Sequence, residues 1–369
     1  VKFNYKPKES ILTSPPSPNV FFSGGGDGFE VIPYQGKLYV VNHHTSFSQL
    51  KCFDAVTGQA CVGWAGGKTL DTDILKYKTV QAPMSSLNRE NGNLWFVASY
   101  HDPRDGKVHN GFVCYNLLVI SHCGFVEVDN YVSSYNSFVN SPHYFMSYTS
   151  LAPVGSKLFS ISNQGNLGCV DSSTGQACIL SKPGPYKLPP QLQNIRQQLL
   201  FHIPVTVAGT KILFMYRYYM YCIDSVSGDA CTGTWPAYVV KQGGETYGPR
   251  LVLTSDGTPK AACMGYGPTN QNTMTRLCFD LTGAPYTLTP VEAKMSNHRP
   301  LANKTWDSVV RELSYKTRTF NFDHNDYIEC FDFALGTNCP NFPKGNAAYK
   351  YNFTLVPDPE RYDCLWSNG

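Results

Sequence analysis

The segment KCFDAVTGQAC, residues 51–61, places two cysteines nine positions apart around a turn that begins at Asp54 and closes on Thr57 and Gly58. Near copies recur as GCVDSSTGQAC (168–178), YCIDSVSGDAC (221–231) and ECFDFALGTNC (329–339). Two weaker relatives complete the set. VCYNLLVISHC (113–123) keeps the cysteine spacing but, without the Asp and Gly, loses the turn, and LCFDLTGAPYT (277–287) keeps the turn without the second cysteine. The leading cysteines, Cys52, Cys114, Cys169, Cys222, Cys278 and Cys330, are separated by 62, 55, 53, 56 and 52 residues. So steady a period marks repetition of one supersecondary unit.

Each unit reads as four short strands. In the third copy these are TSLAPV (149–154), SKLFSIS (156–162), NLGCVD (166–171) and QACIL (176–180). The same division gives FEVIPYQG, KLYVVNH, QLKCFD and QACVGW in the first copy, and HIPVTVAG, TKILFMY, YMYCID and DACTGTW in the fourth. Tight turns rich in Gly join most of the pairs. Six four-stranded units predict an all-β, six-bladed β-propeller over residues 28–343. A Pro/Gly-rich arm (1–27) would precede it and a segment helping closure (344–369) would follow.

The GKLYV strand, the next strand ending in Asp, the D-x-x-T-G-x-x turn and an outer strand together resemble the quinoprotein-type (PQQ-like) propeller repeat, from about Phe29 to Pro343. The cysteine positions are usually apolar in that family, and the aromatic that closes each repeat survives here mainly as Trp64 and Trp235. The resemblance implies the fold. It does not carry over the quinone, and the cofactor is unknown.

Directly opposed residues on an antiparallel pair lie at a Cα separation that a disulfide tolerates. The pairs Cys52–Cys61, Cys114–Cys123, Cys169–Cys178, Cys222–Cys231 and Cys330–Cys339 are therefore read as staples within a unit. In the fifth copy Cys263, on the preceding strand, takes the place of the absent partner of Cys278. Structural zinc sites use ligands two to four residues apart, which this spacing lacks, and no metal ligands are assigned. Three fates stay open to the thirteenth cysteine, Cys364: a thiol, a bond to another chain, or a partner beyond Gly369.

Paired cysteines fit an oxidising compartment, so a secreted protein is expected, with its signal peptide removed ahead of the opening VKFNYKPKES. Asn303 and Asn352 head glycosylation sequons. No apolar run approaches the length of a membrane-spanning helix. A formal charge of +3, with scattered basic residues, points away from nucleic acid.

In a propeller, the loops between second and third strands and those between units emerge on one face, where ligands bind. His43, His44, His101, His109, His143, His202, His298 and His324 map in or beside those loops, and only His122 maps to an outer strand. SYHDPRDGKVHNG (99–111) and three longer segments (126–147, 181–202, 289–308) read as insertions on that face, with Tyr, Asn, Ser and His outnumbering the carboxylates a calcium cage needs. His43, His44, His101, Tyr148, His298 and His324 are the candidate binding residues for a glycan or protein partner. The alternative is an extracellular enzyme with a His/Tyr/Arg or metal-assisted site at the channel mouth, a polysaccharide lyase, hydrolase or oxidoreductase, using His202, His143, Tyr247 and Arg250. A structural matrix protein is the third reading.

Overall fold

A computed structural model describes residues 3–5, 28–43, 48–54, 59–64, 67–69, 77–79, 85–102, 104–132, 151–161, 166–180, 186–187, 205–216, 219–238, 245–267, 275–295, 313–322, 328–340, 353–357 and 364–367. Among these, every regular element is a β-strand except one 3-10 turn at Glu292–Lys294. Six antiparallel meander sheets follow one another along the chain.

The first sheet contains Gly28–Tyr34, Lys37–His43, Ser48–Asp54 and Lys68–Thr69. In the second, Tyr77–Thr79 and Ser85–Asn88 both pair with Asn93–Asp102, which pairs with Lys107–Asn116 and that in turn with Ser121–Val132. The third is built on Ala152–Val154, Lys157–Ile161 and Asn166–Asp171, with Gln176–Ala177 and Tyr186–Lys187 along the outer side. Val205–Ala208, Lys211–Tyr216, Tyr219–Asp224 and Ala237–Tyr238 form the fourth. Glu245–Leu253, Pro259–Gly267 and Thr275–Asp280 form the fifth, and Leu313–Tyr315, Arg318–Phe322, Ile328–Asp332 and Thr337–Asn338 the sixth. A seventh, three-stranded sheet pairs Phe3–Tyr5 with Phe353–Pro357, and that strand with Cys364–Ser367.

Inner strands of the middle sheets are apolar on both faces because each is covered by the sheet before it and the sheet after it. Leu94, Phe96, Ala98 and Tyr100 pack with Ile32, Tyr39 and Leu50 of the first sheet. The alternate residues Trp95 and Val97 join Phe112, Leu158 and Val170 toward the third. Phe159 and Ile161 then meet Ile212 and Phe214 of the fourth sheet, and Leu213 and Met220 face Val252 and Met264 of the fifth. Phe331 and Phe333 of the sixth close the last of these clusters. Strand alternation thus serves two neighbours, and burying a side chain the size of Phe96 or Phe159 contributes about 1.5–3 kcal/mol. The stacking is propeller-like.

All six expected disulfides are present. Five join cysteines nine apart, at Cα separations of 5.1–5.3 Å. The sixth links Cys263 to Cys278, directly opposed on neighbouring strands. The reason for this exchange lies in the turn. Gly283 follows Asp280 by three positions where Gly228 follows Asp224 by four, so Tyr286 arrives where the second cysteine stands elsewhere. Its N–H donates to the Cys278 carbonyl at 2.8 Å, as that of Cys231 does to Cys222 at 3.0 Å.

Two sequence expectations need correction. The outer strand of a unit is broken: Ala60 makes an isolated bridge to Phe53, the chain turns through buried Trp64, and pairing resumes only at Lys68–Thr69. Short, interrupted edges leave little backbone exposed for pairing with another chain. The second copy also retains its turn. Asn116 Oδ1 accepts the N–H groups of Leu118 and Val119 at 2.9 and 3.0 Å, as Asp224 Oδ1 accepts those of Val226 and Ser227 at 2.9 Å. Ile120 takes the glycine position there, at φ +55°.

Candidate functional site

The segment read as a loop insertion at 99–111 is mostly strand. Asn93–Asp102 and Lys107–Asn116 run in register up to the pair Asp102 and Lys107, and the start of the next segment, 126–132, extends the neighbouring strand Ser121–Val132. Two aspartates shape the tip. Asp102 Oδ1 accepts the Arg104 N–H at 2.9 Å and Asp105 Oδ1 that of Lys107 at 2.9 Å. Gly106, at φ +70°, donates back to the Asp102 carbonyl.

His109 sits just inside this tip, its side chain 10% exposed. Its Nδ1 lies 2.5 Å from Glu127 Oε2 and its Nε2 lies 3.1 Å from Asp105 Oδ2. Tyr100, its register partner, stacks on the ring at 4.8 Å and 8°, and Phe125 meets Tyr100 edge-on. Burial, then the nearby Glu127 and Asp102 charges, push the Tyr100 phenol above its ordinary value. Arg104 binds Asp102 through Nε and Nη2, at 2.8 and 2.5 Å. This pairing, outweighing burial, holds Asp102 at about 2. The Lys107 N–H, and secondarily His109, hold Asp105 below the usual carboxylate range.

A β-bulge supplies the carboxylate from the third strand of this arrangement. The register of Ser121–Val132 slips between Glu127 and Asp129, so two residues that would otherwise share a face point to opposite ones. Glu127 therefore meets His109 on the side of the first sheet, while Asp129 accepts from Asn110 and from Asn166 of the third sheet, both at 2.7 Å. Ser99 completes the chain by donating to Asn110 Oδ1 at 2.7 Å.

Asp102, Asp105 and His109 each offer a donor atom within 4.8 Å of the other two, so these three residues could hold a metal ion. Arg104 and Asp105 are exposed at the tip while His109, Asn110 and Asp102 are buried beneath it.

Of the sequence candidates, Arg250 is 4% exposed and its Nη2 donates toward Thr319 Oγ1 at 3.4 Å, which ties the fifth sheet to the sixth. Tyr247 pairs with Gly265, His43 with Ser48 and His101 with Val108 in their ladders, with side chains outside the described residues. His44, His143, Tyr148, His202, His298 and His324, and the sequon residues Asn303 and Asn352, lie outside the described residues altogether. Cys364 opens a strand opposite Pro357, its side chain likewise outside them. His122 is on the outer strand, as expected. Asp102, Asp105 and Glu127 were not among the candidates. The first two could have been found as D-x-x-D-x-x-x-H, whereas Glu127 depends on a bulge with no local signature.

No family model and no curated protein matches the chain. Among solved structures it is similar to BamB from Moraxella catarrhalis, at 11% identity and a TM-score of 0.43, covering 82% of this chain and 69% of that one. It is also similar to the computationally designed Ika8 protein (10% identity, TM-score 0.40, 94% and 98% covered). A third similarity is to the N-terminal domain of Nup159 (10% identity, TM-score 0.38, 83% and 74% covered). These likenesses assign no activity.

Proposed function

We propose that this chain is a secreted recognition protein: a six-bladed, disulfide-stapled propeller, with the terminal sheet aiding closure, that binds a glycan or protein partner through its loop-bearing face. The observation that carries this reading is the tip of the second sheet. There exposed Arg104 and Asp105 are anchored on buried Asp102 and His109, with buried Tyr100 stacked on the His109 ring. A rigid base under exposed polar groups lowers the ordering cost of binding. The six staples support an extracellular setting, and among the described residues no helix is long and apolar enough to cross a membrane. Burial of Arg250 between two sheets favours recognition over catalysis at that position.

The test applies labelled full-length protein, disulfides intact, to a glycan array and to a panel of extracellular proteins. Arg104→Ala together with Asp105→Asn is expected to weaken the principal interaction by roughly tenfold or more, in line with loss of about 1.4 kcal/mol or more at an anchoring pair. Equal binding by the double variant, or retention of neither ligand class by the native chain, overturns the proposal.

A further inference from the structure

The fifth sheet fastens its outer segment differently from the other five. Elsewhere a disulfide ties the residues beyond the turn to the strand before it, whereas Cys263–Cys278 joins two strands inside the sheet and does not reach that far. In residues 286–295 the side-chain bonds converge instead on one carboxylate, that of Glu292, which is 4% exposed. Its Oε1 pairs with Lys260 of Pro259–Gly267, and its Oε2 accepts the Tyr286 hydroxyl at 3.1 Å and the Thr289 N–H at 2.9 Å. Thr289 Oγ1 accepts the Glu292 N–H in return at 3.3 Å, a reciprocal cap on the turn Glu292–Lys294.

The segment gathered in this way also joins the fifth sheet to the sixth. Met295, at its end, is 1% exposed and packs with Phe331. The Thr319 hydroxyl points to its sulfur at 3.9 Å, and Arg276 Nη1 donates to its carbonyl at 2.9 Å. Val291 lies against the turn of the sixth sheet, where a Cβ added to Gly336 would fall 2.7 Å from Val291 Cγ1.

We propose that Glu292 is an acid-released clasp: ionised, it fastens residues 286–295 to these two sheets, and protonated it lets them go. Neutralising the carboxylate removes the counter-charge of Lys260, whose side chain is 32% exposed and turns to water. The other charged groups of the two sheets are engaged elsewhere or distinct from it. Arg250 donates to Thr319, Asp280 accepts from its own turn, Arg318 pairs with Asp332, Lys294 is exposed, and Glu329 is buried on the strand Ile328–Asp332. Burial raises the Glu292 carboxyl, but the bonds from Lys260, Thr289 and Tyr286 outweigh it and hold the group below its usual value. A depressed folded value contributes stability that is present above the unfolded glutamate value near pH 4.3 and is lost as pH falls through the lower folded one. Release is therefore expected below about pH 4. Residues 289–295 open the segment 289–308 that the sequence assigns to the ligand-bearing face, so the clasp sets where that segment leaves the core. The inference stands apart from the recognition reading, because its test uses no partner.

Hydrogen exchange of the full chain, disulfides intact, followed peptide by peptide from pH 7 to pH 3 and corrected for the intrinsic pH dependence of exchange, reads the clasp directly. Residues 286–295 are expected to lose protection while the strands of the fifth sheet keep theirs. Glu292→Gln should raise exchange in 286–295 at pH 7 by roughly tenfold or more and abolish its acid response. Lys260→Met keeps the carboxylate and removes its cation, so it should move the opening midpoint up by roughly one pH unit, and it decides the matter if the glutamine variant does not fold. Protection of 286–295 that persists until the whole chain unfolds, an acid response retained by Glu292→Gln, or an unmoved midpoint in Lys260→Met overturns the proposal.

Discussion

The second and fourth sheets carry the same staple on different ladders. In the fourth, Lys211–Tyr216 and Tyr219–Asp224 are six residues each, and the turn after the leading cysteine uses Asp224 and Gly228. In the second, the strands run to ten and twelve residues, and Asn116 and Ile120 hold the two turn positions. The cysteines stay nine apart in both. The staple and its turn thus fix the outer end of a unit, leaving the opposite end able to lengthen, bulge and carry charge. In the second sheet that end holds the Asp102, Asp105 and His109 cluster.

The staple equivalence can be broken directly. Replacing Cys114 with Cys123, or Cys222 with Cys231, by Ala pairs should each cost roughly 2–3 kcal/mol, since loops of equal length constrain the unfolded chain equally. Chemical denaturation of both variants would show it, and a much smaller loss in the second sheet would mean that its longer ladder has taken over the restraint.

Packing between sheets predicts an effect of similar or slightly smaller size. A Cβ on Gly168 would fall 2.1 Å from Val128 and 3.1 Å from Phe112, both on the second sheet. Gly168→Ala should therefore destabilise by about 1–3 kcal/mol, read as a lowered melting temperature. Unchanged melting would show that the interface yields.

The turn comparison predicts a gain. A β-branched residue at φ +55° is strained, so Ile120→Gly should stabilise by about 1 kcal/mol. Gly228→Ile, which imposes the same strain on the fourth sheet, should cost a similar amount. Equal stability of both variants and the native protein would refute the equivalence of the two turns.

Acid should separate the same turns by the least. The Ser173 hydroxyl, outweighing burial, holds Asp171 below its usual value. Burial raises Asp224 and Asp332, but hydrogen bonds from Ser227 and Val226, and from Arg318 and Thr317, outweigh it and leave both depressed. A depressed folded value contributes stability that is present above the unfolded aspartate value near pH 3.9 and is lost as pH falls through the lower folded values. Asn116 does not titrate. Hydrogen exchange below about pH 4 should accelerate at the turns of the third, fourth and sixth sheets before that of the second, and simultaneous opening would refute the distinction.

Several of these features were legible without coordinates. The cysteine period set the unit and its strand order, and all six pairings followed, including Cys263 with Cys278, because opposed strands hold cysteines at bonding distance wherever the register repeats. The Asn116 turn was missed because an amide replaces the carboxylate while accepting the same two N–H groups, and Ile120 hides the glycine position. The broken outer strand was missed because pairing stops where buried Trp64 redirects the chain, a tertiary event.

By itself, then, the sequence determined what repeats: local spacing fixes turns, turns fix register, and register places the staples. The tertiary structure alone decided what converges. Glu127 reaches His109 through a bulge eighteen residues away, Asn166 reaches Asp129 across two sheets, and Arg250 is buried by a neighbour that begins more than sixty residues later. The first contact depends on a bulge within one sheet and the other two on how one sheet packs on the next, and no spacing along the chain encodes either.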